Sequence, residues 1–294
     1  MTPLISVIIP TFNRLNEIIR AIDSITLQTF KNWEIIVVDN NSDDGTSDFI
    51  EKMNNKKIRL FSIQNNGIIA LSRNLGISKA QGKYVAFLDS DDWWEPSKLE
   101  VCLEYLNNGA NVVYHDLYRV KKINQFLNFS KLKTRSMSPP IFDDLIFNGW
   151  ALCNSSVVVL RSLLVEIGGI SVNKKLVGCE DYDAWLKISQ ITEKFVRIPK
   201  TLGYYWDGGG NTSNPTRSLN NLAEIERIYK HQFDNFRLMD TFYYLYYIKG
   251  RLSFLIGKYD LSKSNLKIVL SKKIPFKIYF NCQIMRALIL LKNK

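Results

Sequence analysis

The chain has 294 residues, a net charge of +11 and an apolar fraction of 46%. That length holds one large domain or a domain with an appendage, and the apolar fraction supplies a sizeable core, which sets a disordered chain aside. The four cysteines form no CxxC pair and the only histidines are His115 and His231, which argues against a zinc site and fits reduced thiols in a cytoplasmic setting.

Leu4–Ile9 is a β-rich run closed by Pro10. It has no basic flank and no cleavage site, so no targeting segment is expected. Apolar residues at helical spacing predict a helix over 16–27, then a strand over 33–38. A polar loop, Asp39–Thr46, leads to a helix ending near Met53. A strand at 58–63, a helix at 69–80 and a strand at 84–88 follow. Short β-rich runs alternating with helices predict a mostly parallel α/β sheet covered by helices on both faces. Ligands of such sheets bind beyond the carboxyl ends of the strands. Polar residues gather at four such ends: Thr11–Arg14, Asp39–Asp44, Asn65–Gly67 and Asp89–Asp92.

Further on, a helix at 98–106, a strand at 111–114, a strand at 154–160 and helices at 162–167 and 180–189 are predicted. The polar, glycine-rich run 207–215 divides a domain at 1–215 from a helical region at 216–294. No apolar run reaches the roughly 18 residues that a membrane span requires. From Thr241 to the end, eleven lysines and arginines face a single acid, Asp260, so almost the whole excess charge lies there. Cations interleaved with aromatics suit an anionic membrane surface, or a helical subdomain whose lysines are merely solvated. No nucleic-acid-binding motif accompanies the charge.

Two acidic clusters carry the chemistry. Asp89, Asp91 and Asp92 end a buried strand, where a divalent cation prefers one or two carboxylates plus substrate phosphates. A helix cap would need fewer acids. Glu180 and Asp181 lie among aromatics, where desolvation raises a carboxyl pKa toward the range of a general base.

Pro10–Arg14, Val38–Ser42, Ser72–Asn74, Leu88–Asp92 and Glu180–Asp181 together resemble glycosyltransferase family 2 in order and spacing, over roughly residues 4–206. The resemblance implies a GT-A fold and an inverting, metal-dependent sugar transfer. It implies that Asp89-Ser90-Asp91 is the DxD motif, with Asp89 toward the ribose and Asp91 and Asp89 serving Mn2+ or Mg2+. It makes Asp181 the base, with Glu180 as its alternative or as an acceptor-orienting group. Pro10, Thr11, Phe12, Arg14, Asp39, Asn40, Gly67, Arg73, Asp89 and Ser90 become the nucleotide-sugar cradle, with Phe12 either on the base or in the core. Asn40 stands where the family often has an acid; its amide oxygen can still accept from a uracil N3–H, which keeps a UDP-sugar favoured and dTDP open. The loop 206–213 lacks the histidine that the family often carries there, leaving Asn211 or Asp207 as substitutes.

The expected activity is transfer of one sugar to a glycan or a lipid-diphosphate-linked acceptor in O-antigen or capsule synthesis, at the inner face of a membrane. Two alternatives stand beside it. One is a sugar nucleotidyltransferase, which would need a glycine-rich first loop that Pro10–Arg14 does not supply. The other is an inactive membrane-docking module on a transferase scaffold, against which the intact acids argue.

Overall fold

A computed structural model describes residues 2–122, 130–208, 214–236, 239 and 242–292. The chain divides into two compact units. The first comprises residues 1–141, 151–172 and 180–210; the second comprises 142–150, 173–179 and 211–294.

In the first unit, β1 (Ile5–Thr11), α1 (Leu15–Thr26), β2 (Trp33–Asp39), α2 (Thr46–Lys52), β3 (Ile58–Ser62), α3 (Ile69–Lys79) and β4 (Tyr84–Phe87) build a parallel half-sheet in the order β3-β2-β1-β4. Every residue of β1, β2 and β4 is buried, as the continuous Ile and Val runs require of strands covered on both faces. Ile18, Ala21, Ile22 and Ile25 form the buried stripe of α1. Helix α3 lies so close to β1 that a β-carbon at Gly76 would come within 2.5 Å of Ile8.

The chain continues through the two-residue β5 (Trp93–Trp94), α4 (Lys98–Asn107), β6 (Val112–Val120) and β7 (Ser130–Leu132). Then come α5 (Ile141–Asn148), β8 (Val158–Leu160), α6 (Arg161–Glu166), α7 (Glu180–Ser189) and β9 (Phe195–Trp206). The sheet extends as β4-β8-β6-β9-β5, with β7 on the side of β6. Only β6 and β9 are parallel in this half; the other pairs are antiparallel. The strand predicted over 154–160 is shorter than expected. Asn154–Ser156 forms a 3-10 turn, in which the Ser156 hydroxyl donates to the Cys153 carbonyl, and the strand begins only at Val158.

The second unit is helical: most of α5, then α8 (Pro215–Ile228), α9 (Lys230–Phe236), α10 (Tyr244–Leu255), α11 (Tyr259–Leu270) and α12 (Phe276–Lys292). Asn214 caps α8, its side chain accepting from the Arg217 N–H, and Pro215 opens the helix where no donor is needed. Tyr247, Leu266, Val269, Cys282 and Met285 form a small core among the last three helices. Among the described residues, no helix is long and apolar enough to cross a membrane.

Candidate active site

The parallel register sets the site. Thr11 pairs with Asp39 and Asp39 with Ser62, so three strands end at one edge, and Leu88 extends β4 alongside by donating to the Ile8 carbonyl. The loops that follow are laced together. The Asn13 N–H donates to Ser42, the Asp43 N–H to Asn13 Oδ1 and the Leu15 N–H to Asp44. The Asp39 carboxylate is buried and accepts from the Ser42 amide and from the Ser42 and Ser47 hydroxyls. Asn40 Oδ1 accepts from the Asn65 N–H at 2.7 Å, tying the β3–α3 loop to the edge while leaving a second lone pair. Gly67 completes that loop at φ +77°, a left-handed conformation that glycine adopts at no steric cost.

Pro10 and Thr11 are buried, and the Thr11 hydroxyl has no hydrogen-bond partner among the described residues. Phe12 is 53% exposed, so its ring is a surface group at this edge and not part of the core.

Arg73, buried on α3, joins the two acidic clusters. Its Nη2 donates to Asp89 at 2.8 Å and its Nη1 to Glu180 at 2.7 Å, although those acids are far apart in sequence. Burial opposes the guanidinium charge, but Asp89 and Glu180 outweigh it, and the Arg73 pKa is raised. Asp181, next to Glu180 at the start of α7, is partly exposed. Desolvation foremost, and then the Glu180 charge, raise its pKa from 3.8 to about 6, with Arg73 and the Tyr182 N–H pulling the other way. Asp183 is fully buried and paired with Lys187 at 2.6 Å, which gives it a structural role.

Asp91 faces Arg14 at 3.5 Å. Desolvation foremost, and then the neighbouring Asp89, raise its pKa from the ordinary value, with Arg14 pulling the other way. Ser90 is buried between the two acids. Asp89 and Asp91, partly exposed carboxylates on either side of Ser90, are a hard oxygen donor set of the kind a divalent cation takes together with phosphate oxygens, so these residues fit Mn2+ or Mg2+. Among the described residues no group of three or more His, Cys, Asp or Glu has metal-holding geometry, so substrate oxygens would have to complete the coordination.

Three supports of this loop were not anticipated from the sequence. Arg20 of α1 donates to the Asp91 carbonyl at 2.7 Å and stacks on Trp93 at 3.9 Å. The buried Asp92 carboxylate accepts from the Trp206 N–H, fixing the loop to the end of β9. The Asp89 N–H donates to the Ser155 hydroxyl of the 3-10 turn. The helical spacing of Arg20 reads as an ordinary exposed position, and only the fold brings Trp93 beneath it. Asp207 pairs with Arg119 at 3.6 Å; Asn211 lies outside the described residues.

A family model for Glycosyl transferase family 2 matches residues 6–165. The chain is 30% identical over 188 residues to the Escherichia coli UDP-Glc:alpha-D-GlcNAc-diphosphoundecaprenol beta-1,3-glucosyltransferase WfgD, covering 63% of this chain and 69% of that protein. It is 43% identical over 122 residues to an uncharacterized glycosyltransferase of Rickettsia felis, but spans only 20% of that protein's length. In fold it is similar to S. aureus TarS in complex with UDP-GlcNAc (TM-score 0.61, 17% identity, 91% of each chain). It is likewise similar to the mannosyltransferase PcManGT of Pyrobaculum calidifontis in complex with GDP-Man and Mn2+ (TM-score 0.58, 17% identity, 99% of this chain and 81% of that one).

Proposed function

The chain belongs to glycosyltransferase family 2 and has the GT-A fold, and from that premise we propose that it transfers a single sugar, with inversion, from a nucleotide diphosphate donor to a glycan in surface-polysaccharide synthesis. The observation that carries this reading is the Arg73 bridge, which brings the Asp89 cluster and the Glu180–Asp181 pair together in the first unit.

In this mechanism Asp181 takes the proton of the acceptor hydroxyl as that oxygen attacks the anomeric carbon. The bond from that carbon to the donor's diphosphate breaks, its electron pair leaves with the nucleoside diphosphate, and an α-linked donor yields a β-linked product. A carboxyl raised to about 6 is still ionised near neutral pH and is a stronger base than an ordinary aspartate. Arg73 holds Asp89 and Glu180 in place through its two hydrogen bonds. Asp91, with Asp89, would hold a divalent cation, which when bound supplies positive charge to the leaving diphosphate. The laced loops at Asn13–Asp44 and the free Thr11 hydroxyl form the nucleoside end, with the exposed Phe12 ring available to the base.

A UDP-sugar is the favoured donor and a lipid-diphosphate-linked glycan the favoured acceptor, which places the reaction at the inner face of a membrane. The WfgD likeness supports both choices. The test is calorimetric titration with UDP, dTDP, GDP and CMP, each with and without Mn2+, beside Asp91→Asn. Mn2+-dependent binding of UDP that the variant loses is expected; a folded protein that binds no nucleotide contradicts the reading.

A further inference from the structure

Helix α12 packs through one face only. Ile278, Cys282 and Met285 turn toward the small core with α10 and α11, and Ile289 on the same face is buried. At 100° per residue, Phe276, Phe280, Ile284, Ala287 and Leu291 fall within about 80° of one another on the opposite side. Phe276 is 81% exposed, Phe280 56% and Leu291 69%. An unbroken strip of large apolar side chains along the helix is unusual on a protein surface that faces water alone.

Charge decides what covers it. Lys277 lies at one border of the strip and Arg286 at the other, both exposed, and the exposed Lys273 lies three residues before the helix. Helix α12 contains no acid, and the region from Thr241 carries Asp260 as its only one. A second copy of this chain would bring cations against cations. An apolar strip between cationic borders instead matches an anionic bilayer surface: aromatic and aliphatic groups enter the headgroup boundary while lysine and arginine meet phosphate.

We propose that the exposed face of α12 is a docking surface for membranes containing anionic phospholipid, with the helix lying in the plane of the interface. This extends the reading that the acceptor is lipid-borne, but its test requires neither donor nor turnover.

The test is sedimentation of the full chain with vesicles of phosphatidylcholine, with and without phosphatidylglycerol, at low and high salt. Two variants accompany it: Phe280→Glu/Ile284→Glu, and Lys277→Gln/Arg286→Gln. Binding to the phosphatidylglycerol vesicles, weakened by salt, is expected. The first variant should lose it. The second should weaken it by an order of magnitude or more, since each cation near an anionic surface is worth about fivefold in partitioning. All altered side chains are exposed or border the exposed face, so the melting curves of the variants should match the parent. Binding to neither vesicle by folded protein, or binding indifferent to both variants, overturns the proposal. Self-association in ultracentrifugation that Phe280→Glu/Ile284→Glu abolishes, without vesicle binding, overturns it in favour of a second copy. If vesicle binding holds while the nucleotide titrations fail, the transferase reading falls and the docking surface stands.

Discussion

Arg73→Met removes the group that holds the two acidic clusters together. The parent side chain is 5% exposed and makes two charge-assisted hydrogen bonds, at 2.7 Å to Glu180 and 2.8 Å to Asp89. Glu180 is 7% exposed and would lose this ion pair in a nearly dry setting; Asp89, 32% exposed, would be partly rescued by water. Removing one partner of a buried pair costs about 3–5 kcal/mol, mostly through the charge left behind. The exposure of Asp89 argues for the lower end, about 3 kcal/mol, a large share of a typical 5–15 kcal/mol stability. Arg73→Lys keeps the charge but cannot present two donors in a planar fork, so a loss of about 1–2 kcal/mol is expected. Urea denaturation at pH 7 measures both. A loss below about 1 kcal/mol for Arg73→Met refutes the idea that Arg73 compensates these acids.

Asp181 supplies a second prediction. Its folded pKa, about 6, lies above the ordinary 3.8, so the folded state binds more protons than the unfolded chain between those values and stability falls as pH rises through that window. Asp181→Asn should therefore be more stable than the parent by about 1–3 kcal/mol above pH 6, with the difference fading toward pH 4 in pH-dependent denaturation. For the same reason kcat/KM of the parent should climb with pH through about 6, as the base ionises. Arg20→Met removes the hydrogen bond to the Asp91 carbonyl and the stacking on Trp93; the affinity for Mn2+ in the presence of UDP should drop about tenfold in calorimetry, since a charged hydrogen bond is worth about 1.5–3 kcal/mol. Gly76→Ala places a methyl 2.5 Å from Ile8 and should lower the melting temperature despite the better helix propensity of alanine, with overpacking costing about 1–3 kcal/mol against about 1 gained.

The first ninety residues were legible because β1 and β2 carry continuous Ile and Val runs and α1 a clear apolar stripe; Trp33–Asp39 and Leu15–Thr26 lie within a residue or so of expectation. Helix α7 matches its predicted bounds, 180–189. Strand β6 was seen only as far as Tyr114, because His115, Asp116 and Arg119 interrupt the apolar pattern. Asp116 is buried there and satisfied by Arg197 and Thr134, partners that no local pattern reveals. Strand β5, two tryptophans long, gives no periodicity at all. At the site, the acids were legible by type and spacing. The Arg73 bridge was not, since Asp89 and Glu180 meet only through the fold; the resemblance put Arg73 in the nucleotide-sugar cradle, and the structure adds that two of its nitrogens hold carboxylates.

The most direct test of the account is Asp181→Asn, with donor binding and turnover measured on the same preparation. The account predicts UDP affinity within about twofold of the parent and turnover lower by about 10²–10⁴, the usual contribution of a positioned base. Turnover near the parent's would remove Asp181 from the reaction and contradict the mechanism.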